Sequence, residues 1–132
     1  MNVTFEERAS LHGYRIGIAS LDAPASLNAL SLPMIDALQD RLRAWAEDAD
    51  IACVLLRGNG SKAFCAGGDV VQLAKKCLAS PGEAPELAER FFAREYRLDH
   101  YLHTYPKPLI CWAHGHVLGG GMGLLQGAGI RI

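Results

Sequence analysis

The sequence predicts an α/β fold, a largely parallel sheet with helices packed outside it. Three observations carry that expectation. Strand-like, helical and strand-like segments follow one another along the chain, which is the order of a βαβ crossover, right-handed by rule. Cys53-Val54-Leu55-Leu56 is apolar without interruption, the mark of a short strand covered on both faces. Two further segments run from a strand through consecutive glycines into a helix, as α/β units do at their turns.

Composition bounds the rest. At 132 residues, half of them apolar and a fifth charged, the chain fits one globular domain with a modest core. A net charge of -1 gives no ground for nucleic acid or an anionic membrane surface as partner. No run approaches the length of a membrane-spanning helix, and MNVTFEE at the start lacks the basic-then-apolar order of a leader. A soluble, cytoplasmic protein is the expectation. The four cysteines, Cys53, Cys65, Cys77 and Cys111, show no C-x-x-C spacing and read as free thiols rather than a disulfide frame or zinc site. His114 and His116 have strand spacing and would share a face, but two ligands alone do not make a metal site, so no metal is expected.

Residues 3–7 and 14–21 alternate as two strands, with His12-Gly13 as the turn. Residues 22–26 form a loop. Ser31 followed by Leu32-Pro33 starts a helix, since serine caps and an early proline is tolerated. Met34, Ile35, Leu38, Leu42 and Trp45 fall at helical spacing, which carries that helix to about Asp48. Residues 53–56 are the next strand, closed by Gly58-Asn59-Gly60-Ser61. A helix is expected over 70–79, a loop over 81–85, and a long helix through Phe91, Phe92, Tyr96, Leu98 and Leu102. Glu95 lies beside that apolar stripe, so spacing alone makes it a solvated carboxylate. Residues 108–118 read as one buried strand, with Pro106 and Pro108 barring a helix, and a helix restarts over 122–126. Residues 128–132 read as the start of a strand.

The chemistry concentrates at the glycines. Gly119-Gly120-Gly121 lies between a strand and a helix start, so bare backbone N–H groups and the helix dipole point the same way. Such a corner suits a developing negative charge and reads as half of an oxyanion site. Taken alone it reads equally well as a tight turn that only permits close packing. Lys62-Ala63-Phe64-Cys65-Ala66-Gly67-Gly68-Asp69-Val70 repeats the pattern. Two N–H donors aimed at one point are what an acyl oxygen needs as it becomes tetrahedral or enolic. Asp69 is expected to cap the following helix rather than act as a base. No G-x-x-x-x-G-K-[ST], G-x-G-x-x-G or G-x-S-x-G pattern occurs.

These residues together resemble the crotonase, or enoyl-CoA hydratase/isomerase, superfamily, and are most similar to its 3-hydroxyisobutyryl-CoA hydrolase branch. The resemblance rests on residues 24–31, KAFCAGGDV at 62–70, FFAREY at 91–96 and residues 107–124 around HGHVLGGGMGL. It implies a ClpP/crotonase-like α/β fold of repeated ββα and βαβ units, of which residues 1–132 would be the N-terminal, oxyanion-hole part. It implies that the backbone N–H groups of Gly68 and Gly120 hold the thioester oxygen. Ala66, Gly67, Asp69 and Gly119 flank that point as substrate-contacting positions, and Ala25, Leu27, Asn28 and Ala29 lie along the coenzyme A moiety. A basic residue frequent before the Leu-Asn pair is replaced by Ala25. Glu95 matches a substrate-contacting glutamate of the hydrolase branch. Gly123 stands where hydratases of the superfamily carry a catalytic glutamate, which argues against two-glutamate water addition. The glutamate and aspartate of the hydrolase branch would then lie beyond Ile132.

The function so implied is hydrolysis of a short 3-hydroxyacyl-CoA thioester, with a place in valine catabolism. The partner is an acyl-CoA, no cofactor is needed beyond the coenzyme A of the substrate, and a homo-oligomer is compatible with it. A hydratase or isomerase of the same superfamily is one alternative. A non-catalytic piece that binds acyl-CoA or a complementary chain is the other.

Overall fold

A computed structural model describes residues 2–132. In chain order the first elements are β1 (Val3–Ala9), β2 (Arg15–Leu21), α1 (Leu32–Glu47), β3 (Ile51–Gly58), β4 (Ala63–Cys65) and α2 (Val70–Ala79). There follow α3 (Ala84–His103), β5 (Leu109–Trp112), β6 (His116–Val117), α4 (Gly120–Gly127) and β7 (Ile130–Arg131). The main sheet has the order β1-β2-β3-β5-β7, and a separate pair is formed by β4 and β6. Only β1 is antiparallel to its neighbour, and the other pairs run parallel, as the βαβ order predicts. The β1–β2 turn holds His12 at φ 65° and Gly13 at φ 82°.

Helix α1 forms where capping and periodicity agree. Ser31 Oγ accepts from the Met34 N–H at 3.3 Å, Pro33 sits in the first turn, and Met34, Ile35, Leu38, Leu42 and Trp45 are buried. Its last carbonyls are satisfied from the segment before β5. The Tyr105 hydroxyl donates to the Leu42 carbonyl at 2.8 Å, and Lys107 Nζ donates to the carbonyls of Trp45 and Asp48. The Trp45 ring lies so close over β2 that a Cβ at Gly17 would stand 2.7 Å from it. A glycine interrupts that strand for this reason.

Four expectations change. Val54 and Leu56 of β3 are buried, but Cys53 and Leu55 on its other face are only half-buried. Arg57 on that face donates to Ser20 Oγ at 2.9 Å, so polar as well as apolar atoms cover it. The run 108–118 is not one strand. It breaks between β5 and β6 because Gly115, at φ 63°, presses against the Lys62 carbonyl where any side chain would collide. The second half then leaves the main sheet to pair with β4. Helix α4 begins at Gly120 rather than at Met122, so the glycines are its first turn and not only its approach. The loop expected at 81–85 is a short 3-10 turn at Pro81–Glu83, after which Pro85 enters the first turn of α3.

The loop before α1 is fixed by Asn28, which the resemblance placed against substrate. Its side chain is fully buried, at 0% exposure. Nδ2 donates to the carbonyls of Asn59 at 2.9 Å and Ala63 at 3.0 Å, and Oδ1 accepts from the Ala23 N–H at 2.8 Å. All of its polar valences toward the chain are taken, so Asn28 braces the loop against β4 and offers no side-chain atom to a ligand. Replacing it by alanine strands three backbone groups, two of them in buried hydrogen bonds and one in a part-buried one. The expected loss is about 3 kcal/mol or more of folding stability by urea unfolding; a loss under about 1 kcal/mol would show that the brace is dispensable.

Candidate active site

Both glycine corners leave the same end of one small sheet. β4 and β6 are parallel, with Ala63 beside His116 and Cys65 beside Val117. The turns that follow them, Ala66-Gly67-Gly68 into α2 and Leu118-Gly119-Gly120 into α4, therefore lie side by side. Their backbones touch. A Cβ at Gly67 would stand 3.2 Å from the Leu118 carbonyl oxygen and 3.7 Å from the Gly120 nitrogen, and a Cβ at Gly120 would stand 3.5 Å from the Gly68 nitrogen. Neither the Gly68 nor the Gly120 N–H donates to a carbonyl among the described residues, so both remain available to an anionic oxygen.

The glycines are required for separate reasons. Gly67 at φ 111° and Gly119 at φ 51° occupy backbone regions that side chains disfavour. A side chain at Gly120 would run into Glu95 Oε1, and one at Gly121 into the Cys65 carbonyl. Asp69 Oδ1 accepts from the Gln72 N–H at 3.1 Å and caps α2, as its position after the glycines predicts.

The loop over residues 25–29 is stitched to the first corner. Ala66 N–H donates to the Leu27 carbonyl at 2.9 Å, Leu30 N–H to Gly67 at 2.7 Å, and Asp69 N–H to Leu30 at 2.7 Å. Ala25, Leu27 and Ala29 then line a groove of about 400 Å³ together with Gly68, Asp69 and Val70. An elongated ligand with its reactive end at Gly68 would lie along this groove. Asn28 faces away from it, and Ala66 contributes its backbone.

Glu95 departs from the solvated carboxylate that spacing suggests. It is 4% exposed. Phe91, Glu95, Leu98 and Leu102 form one buried stripe of α3, at offsets of four, seven and eleven, so the residue lies on the stripe and not beside it. Its Oε2 stands 3.5 Å from the position of a Cβ at Gly68. Burial pushes its carboxyl above the usual range. One turn further on, Asp99 was not among the residues singled out from the sequence. It joins Glu95, Gly68, Gly119 and Gly120 around a cavity of about 320 Å³, whose outer wall is Val70, Phe92 and Tyr96. Burial first, and the neighbouring Glu95 charge second, push its carboxyl up to about 6. The missed signal was the spacing of four from Glu95. All four cysteines are free, and Cys65 and Cys111 are buried. His114 Nε2 lies 2.7 Å from the Gly60 carbonyl oxygen, a packing contact. No group of three metal-ligating side chains occurs among the described residues.

A family model described as enoyl-CoA hydratase/isomerase matches residues 16–132. The chain belongs to the enoyl-CoA hydratase/isomerase family. Its fold is crotonase-like. The enoyl-CoA hydratase from Rhodobacter sphaeroides 2.4.1 superposes with a TM-score of 0.86 at 30% identity, covering 99% of this chain and 36% of that one. The carnitinyl-CoA dehydratase from Mycobacterium thermoresistibile superposes at 0.83 and 35% identity, covering 98% and 36%. In sequence, the mitochondrial 3-hydroxyisobutyryl-CoA hydrolase of Gallus gallus is 40% identical over 117 residues, 88% of this chain and 29% of that protein. Small ribosomal subunit protein mS47 of Neurospora crassa is 41% identical over 120 residues, 90% of this chain and 23% of that protein. The chain thus spans less than a third of the length of these two relatives. The hydrolase's mitochondrial name does not fit the cytoplasmic expectation. No helix among the described residues is long and apolar enough to cross a membrane.

The pair, Glu95 buried and Asp99 half-buried, gives this family member a pH signature. An aspartate titrates near 3.9 when unfolded and near 6 here, so the folded state holds the proton more tightly. The penalty is absent below about pH 4, where both states are protonated, and complete above about pH 6. Stability contributed through Asp99 therefore falls as pH rises from 4 to 6, and Glu95 acts in the same direction. In urea unfolding from pH 4 to 7, Asp99→Asn should gain on the wild type as pH rises. A difference that is constant across the window would contradict the assignment.

Proposed function

We propose that this chain binds an acyl-CoA thioester with its carbonyl oxygen between the Gly68 and Gly120 N–H groups, in the manner of a 3-hydroxyisobutyryl-CoA hydrolase. The observation that carries this reading is the meeting of two unpartnered backbone donors beside a buried carboxyl group, Glu95. As the carbonyl becomes tetrahedral, charge grows on the oxygen that faces both donors. Preorganised donors of this kind lower a barrier by ~3–4 kcal/mol each. The groove along residues 25–29 would take the pantetheine and nucleotide end, with backbone and small side chains rather than a cation at Ala25. No group beyond the coenzyme A of the substrate is called for by this step. Carboxylates in the remaining length of a full-size relative would activate the water.

The hydrolase reading is favoured over a hydratase by Gly123, which brings no carboxylate of its own to the first turns of α4. A non-catalytic role is the competing reading, and the mS47 relative favours it, since its name is that of a ribosomal protein. Trp112, Leu118, Met122 and Ile130 are exposed apolar residues and would suit contact with a second copy in a homo-oligomer. A cytoplasmic location belongs to the same proposal.

Release of free coenzyme A from 3-hydroxyisobutyryl-CoA, followed with a thiol reagent, tests the reading in the full reading frame. Activity is expected, and Gly120→Ala should cost about 10²-fold or more in turnover, because the added methyl group meets Glu95 and disturbs the donor pair. Formation of a 3-hydroxyacyl-CoA from an enoyl-CoA instead would establish the hydratase alternative. Tight acyl-CoA binding without turnover in the full reading frame would favour the non-catalytic one.

A further inference from the structure

The cavity at the two glycine corners has two carboxyl groups in its wall, and polarising the thioester carbonyl needs neither to be as buried as it is. Asp99 Oδ1 is buried with no hydrogen-bond partner among the described residues. Oδ2 lies 2.6 Å from the place a Cβ on Gly123 would take. Glycine at 123 is thus more than a missing side chain, because it leaves the room in which the Asp99 carboxyl stands. Glu95 is 4% exposed, and burial alone accounts for its shift, without an offsetting hydrogen bond. Both carboxyl groups border the same cavity.

The surroundings restrict what can satisfy them. The ionisable groups that bear on Asp99 are Glu95 on its own helix and Cys65 on β4, whose thiol burial pushes up to about 11, so that it stays neutral. α4 contributes no ionisable side chain, and no lysine or arginine lines the cavity. An acyl group carrying a carboxylate would meet like charge without a counterion. A plain alkyl group would leave both carboxyls unpaired. A neutral hydroxyl can donate to one and accept from the other when a single proton lies between them.

We propose that Asp99 is a specificity-determining residue that acts with Glu95 to select acyl groups bearing a neutral hydroxyl. This rests on the acyl-CoA reading above and adds to it the group that reads the acyl portion. The hydroxyl sits between the two carboxyls while the carbonyl oxygen stays at Gly68 and Gly120. Asp99 contributes no bond-making step.

The test uses non-hydrolysable ketone analogues of acyl-CoA, in which a methylene separates carbonyl from sulfur, with and without a 3-hydroxyl. Binding to the full reading frame is measured by calorimetry, and folding of each variant by its thermal melt. The wild type should prefer the hydroxylated analogue by about tenfold to a hundredfold. Asp99→Leu should abolish that preference while keeping the alkyl analogue within threefold of wild type. Gly123→Ala should do the same by displacing the carboxyl. Asp99→Asn, which matches the wild type in size and guards against misfolding of the leucine variant, should keep part of the preference and change it less between pH 5 and pH 8 than the wild type does, since Glu95 is then the one titrating carboxyl left. An undiminished preference in Asp99→Leu, or an equal weakening of both analogues, overturns the proposal, the latter marking a purely structural residue. A wild type that binds both analogues alike also overturns it and leaves the acyl-CoA reading intact. Failure of both analogues to bind removes both readings.

Discussion

The parallel pairing of β4 with β6 is the constraint on which the site depends. It is short, three residues against two, yet it decides that two turns separated by about fifty positions start from the same edge and point the same way. Each turn by itself offers one backbone N–H. Side by side they offer two that converge, which is the geometry a developing oxyanion requires. So short a pair cannot hold register alone, and its surroundings hold it. Asn28 ties the Ala63 carbonyl to the loop before α1, and His116 N–H donates to Lys62 at 3.0 Å.

Around this pair the glycines act as spacers whose role is set by what they face. Gly121 lets α4 approach the Cys65 carbonyl, Gly120 lets Glu95 reach the donors, and Gly123 gives Asp99 its place. Close approach of helix to strand is usually a matter of packing density. Here it also delivers two carboxyl groups to a region with few polar partners. Keeping a carboxyl in such a place lowers stability, and burial raises its proton affinity in compensation. The main sheet and α1, with Trp45, Leu38 and Leu56 fully buried, supply the apolar burial that tolerates this local cost.

Much of the backbone was legible in order. The strands of the first hairpin, α1 with its serine cap, and α2 after Asp69 follow from periodicity and capping, both local signals that act over a few residues. The run 108–118 misled because its apolar character is continuous while its partners change. β5 lies in the main sheet and β6 against β4, and partner identity leaves no periodic trace. Glu95 misled because a carboxylate is assigned to solvent by type, and only the offsets of four, seven and eleven from Phe91 to Leu102 reveal its place on the buried stripe. Asp99, four residues on, was visible by the same arithmetic.

Local signals along the chain account for the α/β class, the helix starts at Ser31 and Asp69, and the two strand–glycine–helix corners, because each depends on near neighbours in the sequence. Convergence of the corners, the use of Asn28 as a brace rather than a ligand contact, and the meeting of two carboxyls with the donors at one cavity arise only on folding. Those outcomes depend on strand pairing and helix approach across long sequence separations, where no local propensity reaches.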